Sequence, residues 1–100
     1  MNLPSKDIAI RLYSQTESGE WVDWQEEYDL SDFAGFLPGV GDMFLAPGVL
    51  QGLDRYDPKN RRLLTVVQRV FNPRDLSNYV ALVVTEQIPT GRERVIVSAR

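Results

Sequence analysis

Asp7-Ile8-Ala9-Ile10-Arg11-Leu12-Tyr13 alternates with a period of two: Ile8, Ile10 and Leu12 share one face, Asp7 and Arg11 the other. Successive side chains of an extended chain point to opposite faces, so this pattern predicts a strand with one buried side. Ser14–Gly19 is a polar connector closing on glycine. Glu20–Tyr28 then reads as a second strand, with Val22 and Trp24 on one face and Trp21, Asp23 and Gln25 on the other. Its aromatic residues suit a pleated surface. Together the two segments predict an N-terminal hairpin.

Leu30–Phe36 is long enough for one helical turn, with Ser31 or Asp32 as its cap and Gly35 as its stop. In Leu37-Pro38-Gly39-Val40-Gly41-Asp42-Met43-Phe44-Leu45-Ala46-Pro47, a Gly-Asp turn feeds a short apolar strand. Pro47 ends that strand because it has no N–H for the ladder. The stretch Pro47–Asn60, with Gly48, Gly52 and an Asp57-Pro58 turn signal, is a long loop. Loops of this length in a small domain tend to carry function. Three further strand-like segments follow at 61–71, 78–86 and 92–98, separated by Asn72-Pro73 and Pro89-Thr90-Gly91. The first is β-branched and apolar on both faces near its middle, which suits a central strand. The last is short and charged, which suits an edge.

Six short strands with turn punctuation and no helix of ordinary length point to an all-β fold: a small antiparallel, partly open β-barrel. The order Gly41-Asp42 turn, loop 47–60, strands 61–71, 78–86 and 92–98 resembles the SH3-like small barrels. That resemblance implies an SH3-like barrel for the part from Leu37 onward, with the N-terminal hairpin as an extra piece. Residues 1–100 are expected to form a single domain.

Composition narrows the chemistry. There is no histidine and no cysteine. Ser–His and Cys–His nucleophile schemes are therefore out of reach, and thiolate metal sites with them. No spacing of acids matches a calcium loop. Gly39 and Gly41 form a turn pair and not a dinucleotide fingerprint, since no long helix follows. The expectation is a protein that is not an enzyme and holds no metal or cofactor. No apolar stretch has the length of a membrane span, and Met1–Lys6 lacks the features of a signal peptide. A cytoplasmic protein is expected. The net charge of −3 hides an asymmetry: residues 1–30 hold seven acids and two bases, residues 61–100 seven arginines and three acids.

Three surfaces stand out. Trp21 and Trp24 differ by three positions, so alternation cannot bury both equally, and an exposed tryptophan suits a protein interface. With Leu53 and Tyr56 of the long loop they form the expected partner-binding set. Glu17, Glu20, Asp23, Glu26, Glu27 and Asp29 make an acidic stripe fitted to a basic partner. Arg55, Lys59, Arg61 and Arg62, beside Tyr56, are the residues of an alternative, nucleic-acid-binding reading, which the acidic balance of the chain disfavours. A small-molecule site in the barrel mouth is a further alternative. The leading expectation is a binding module that docks a protein partner through the aromatic–acidic hairpin and the long loop. Its features also suit an accessory or inhibitor protein of a phage or mobile element. A dimer through the edge strand 92–98 is a further expectation.

Overall fold

Five strands, β1 (Ala9–Gln15), β2 (Trp21–Tyr28), β3 (Met43–Leu45), β4 (Leu63–Asn72) and β5 (Leu76–Gln87), form one sheet in the order β2-β1-β5-β4-β3. The structure is a computed structural model describing residues 8–97, in which this sheet curls into a half-barrel. Neighbours run antiparallel except β1 and β5, which are parallel. The N-terminal hairpin is therefore not an appendage, because β1 is the direct neighbour of the last strand. The expected strand start at Asp7 and the segment Met1–Lys6 lie outside the described residues.

The period-two pattern explains the core. Ile10, Leu12 and Ser14 face inward on β1, opposite Val80, Leu82 and Val84 of β5. Leu64 and Val66 of β4 join them, with Ala46 beyond β3. Trp24, Tyr28, Phe33 and Phe44 pack against this cluster as half-buried residues. Phe33 bridges two of them, edge-to-face with Tyr28 at 5.7 Å and with Phe44 at 5.0 Å between ring centres. β5 is buried on both faces from Val80 to Val84, as a central strand must be. β4 is buried only from Leu63 to Val66; from Gln68 to the Asn72 turn it projects exposed.

The β1–β2 register carries the irregularity that shapes the site. Arg11 pairs with Glu27 and Tyr13 with Asp23, so Leu12 alone is opposed by Trp24, Gln25 and Glu26. Two extra residues preserve the alternation, leaving Trp24 and Glu26 on the inward face while the strand bows out. The bow is made by Gln25, at φ 60°.

The Gly-Asp turn forms as expected. Gly41 sits at φ 96°, Asp42 Oδ2 accepts from the Gly39 amide at 2.7 Å, and Gly41 and Asp42 exchange backbone hydrogen bonds with Val66. The helical turn is a 3-10 turn at Leu30–Phe33, but its cap is Asp29, with Asp32 reaching back to the Asp29 amide at 2.9 Å. Ser31 and Asp32 thus follow the cap: Asp29 precedes the turn and already holds the extended conformation a cap needs.

The expected sixth strand does not form over the described residues 92–97. Gly91–Glu93 is a 3-10 turn running into a short helix, α1 (Arg94–Val97), and Ser98 lies outside the described residues. The reason is a capping box across Thr90-Gly91-Arg92-Glu93. Glu93 Oε1 accepts from the Thr90 amide at 3.0 Å, and both its oxygens accept from Gln87 Nε2. This local pairing overrides the β-branched run Val95-Ile96-Val97, of which Val97 is buried. The edges of the sheet are β2 and β3, so a dimer through a strand at 92–98 has no strand to form it. The Gly41-Asp42 turn, the loop and the β4–β5 hairpin form as expected, and a strand over 92–97 does not.

Candidate functional site

The bowed part of β2 and the loop after β3 face each other across an open cleft of about 550 Å³. Trp24 and Glu26 line one wall, and Ala46, Val49, Leu50 and Leu53 the other, with Lys59 and Arg62 at the rim. Leu50 is 77% exposed and Leu53 46%. Two leucines held in water beside a tryptophan have apolar surface still to bury, worth roughly 1.5–3 kcal/mol for each side chain fully covered.

Both walls are held in place. The Trp24 indole N–H donates to Ser14 Oγ, and that hydroxyl donates to Glu86 Oε2 at 2.7 Å, a chain across β2, β1 and β5. Glu26 Oε1 accepts from the Tyr28 hydroxyl at 2.6 Å. Burial first, and that carboxylate second, push the Tyr28 hydroxyl well above its usual range. The loop is tied at its neck, where Ala46 N donates to Arg62 O at 2.9 Å. Arg61 turns inward, and its guanidinium donates to the carbonyls of Arg55 (3.1 Å) and Ala46 (3.2 Å). Arg55 reaches the Pro47 carbonyl at 3.2 Å, and Asn60 Nδ2 that of Asp54 at 2.8 Å. Burial, with Arg55 as a like-charged neighbour, lowers the Arg61 guanidinium from its ordinary value. Its Nε has no partner among the described residues.

The expected partner-binding set is thus divided. Trp24 and Leu53 meet in the cleft. Trp21 lies on the opposite face of β2, its Nε1 donating to Gln15 at 3.3 Å and its ring centre 6.4 Å from that of Tyr13. Tyr56 is half exposed but does not line the cleft. The four cations of the nucleic-acid reading are dispersed as well. Arg61 is buried, Arg55 and Arg62 donate to backbone carbonyls, and Lys59 alone extends without a side-chain partner among the described residues.

The acidic stripe does not act as one surface. Arg11 donates to Asp23 (Nη2 to Oδ2, 2.9 Å) and to Glu27 (3.2 Å) on the outward face. The Arg11 hydrogen bond holds the Asp23 carboxyl below its usual range, and Ser31 does the same for the capping Asp29. On that face Tyr13 and Tyr79 share a hydroxyl–hydroxyl hydrogen bond of 3.1 Å.

Sequence reasoning missed Leu50 and Ser14, and it placed Glu26 in the acidic stripe and not in a cleft with Trp24. The signals were present: an apolar Val49-Leu50 pair in a glycine-punctuated loop, and a serine at an inward position of an otherwise aliphatic face. Among the described residues no cluster of acids could hold a metal ion, and no helix is long and apolar enough to cross a membrane. No family model matches the chain, and no curated protein or solved structure matches it.

Proposed function

We propose that this protein is a non-enzymatic docking module of the cytoplasm that seats an apolar side chain of a protein partner between Trp24 and the Leu50–Leu53 stretch. The observation that carries this reading is the pairing of one half-buried tryptophan with two exposed leucines across a single cleft. A loop tied by Arg61 and Arg55 loses little further freedom on binding, which favours affinity. Glu26 on one wall and Lys59 and Arg62 at the other rim would set orientation and the rate of encounter. A cytoplasmic setting fits a chain without cysteine. We read the half-barrel as SH3-like on the order of the Gly41-Asp42 turn, the loop and the β4–β5 hairpin.

The test is partner capture in cells with the cross-linkable wild type, Leu50→Asp/Leu53→Asp, and Trp21→Ala. The double variant is expected to lose the captured protein at unchanged thermal stability, because both leucines are exposed; Trp21→Ala is expected to keep it. Capture that survives the double variant refutes the assignment.

A further inference from the structure

A second cleft, of about 530 Å³, lies between the 3-10 turn Pro58–Asn60 and the segment leading to α1, lined in part by Pro58, Lys59, Ile88 and Arg94. Lys59 lines this cleft and the Trp24 cleft alike, so the two adjoin at this residue. Together they present three cations, Arg62, Lys59 and Arg94, and two acids, Glu26 and Asp57.

Both acids keep their charge, each held by a neutral donor. Glu26 Oε1 takes the Tyr28 hydroxyl at 2.6 Å, and Asp57 Oδ1 takes the Lys59 amide at 3.0 Å as the cap of its turn. The ammonium of Lys59 and the guanidinium of Arg94 form no ion pair among the described residues. Arg62 has one nitrogen on backbone carbonyls, at 2.9 Å and 3.4 Å. In a chain of net charge −3, the two clefts together thus carry one more cation than acid, and none of the three cations is in an ion pair among the described residues. Between the cations the walls are aliphatic: Leu50 and Leu53 in the first cleft, and Ile88, 45% exposed, in the second.

We infer that the joined clefts bind an extended acidic peptide, in which a bulky apolar residue seats against Trp24 and following carboxylates run over Lys59 to Arg94. The inference rests on the docking reading of the Trp24 cleft and adds the chemistry of the partner. A peptide fits better than single-stranded nucleic acid. Bases need aromatic platforms in succession, whereas the lining of the two clefts holds one aromatic residue, Trp24. Carboxylates meet both kinds of cation here, the guanidinium as a fork and the ammonium as a point charge.

The experiment is fluorescence anisotropy with four labelled probes: a dodecapeptide alternating Glu or Asp with Leu or Phe, its lysine-for-acid counterpart, its alanine-for-apolar counterpart, and an oligothymidylate. The acidic–apolar peptide is expected to bind saturably and more tightly than the other three. Lys59→Glu/Arg94→Glu is expected to weaken it roughly tenfold or more, and Lys59→Gln/Arg94→Gln by less. Unchanged circular dichroism melts show that these surface variants fold. Equal binding by the charge-reversed variant overturns the acidic preference, and so does failure of every probe to bind. Tighter binding of the oligothymidylate overturns it in favour of nucleic acid. In each of those cases the docking reading stands if partner capture still depends on Leu50 and Leu53. Peptide binding that is indifferent to Leu50→Asp/Leu53→Asp overturns both.

Discussion

Replacing Ser14 by alanine tests whether the position of Trp24 is set from inside the sheet. Ser14 is 8% exposed, and its hydroxyl makes two hydrogen bonds, one from the Trp24 indole and one to Glu86 at 2.7 Å. A neutral hydrogen bond contributes about 1 kcal/mol net, and one to a charged group about 1.5–3 kcal/mol. Glu86 is exposed and recovers water when the hydroxyl is lost, so the charged bond counts at the low end or below. The half-buried indole N–H recovers less. The expected loss for Ser14→Ala is about 1–2 kcal/mol, set against roughly 5–15 kcal/mol for a domain of this size. With urea slopes of about 1–3 kcal/mol/M, the midpoint should fall by roughly 0.3–2 M at constant slope. Circular dichroism is the assay, because it remains usable when Trp24 is also replaced. In a Trp24→Phe background the serine substitution should cost about 1 kcal/mol less, the indole bond being already gone. A loss under about 0.5 kcal/mol, or strict additivity of the two substitutions, refutes the chain from Trp24 through Ser14 to Glu86.

Gln25 holds φ 60° in the bow of β2. The left-handed conformation costs an L-residue roughly 1–2 kcal/mol, and glycine returns about half of that through chain entropy, so Gln25→Gly should raise Tm by about 2–8 °C. A lower Tm in differential scanning calorimetry counts against strain at this position. The Tyr79 hydroxyl is pushed up to about 12, by burial first and by its bond to Tyr13 second. Its folded value lies above the unfolded value of about 10, so the stability it contributes is complete below pH 10 and is lost as pH rises through about 12. Tyr79→Phe should remove that part of the alkaline loss, while Tyr28, also raised, keeps its share; superimposable stability curves for the two proteins in alkali would contradict the assignment.

Much of the local architecture was legible in the chain. Alternation at Ile10 and Leu12 marks the inward face of β1, and the apolar stretches at 63–66 and 80–84 mark strands flanked on both sides. The Gly41-Asp42 turn was legible because positive φ at a glycine and an Asp side-chain bond are settled within a few residues. The candidate site was half legible. Trp24 and Leu53 drew attention as an aromatic in a strand and an apolar residue in a loop, but nothing local says that they face each other.

That last relation depends on pairings between segments far apart in sequence. The parallel contact of β1 with β5 places Ser14 beside Glu86, 72 residues away. The two-residue excess of β2 against β1 pushes Trp24 and Glu26 towards the loop, and an excess exists only relative to a partner strand. Arg61 reads in sequence as one of four surface cations; the neck of the loop turns it inward, where two backbone carbonyls replace the water around it. The C-terminal segment shows the same division within one stretch. Val95-Ile96-Val97 has strand propensity, but a strand needs a neighbour's edge to pair with, and the Thr90–Glu93 capping box offers a nearer partner. The sequence by itself determined where the chain alternates, turns and stops, because those choices are made among residues a few bonds apart. Which tryptophan meets the loop, which cation is buried and which strand lies beside β1 were decided only by the tertiary structure, because each is a contact whose energy exists only once distant segments have met.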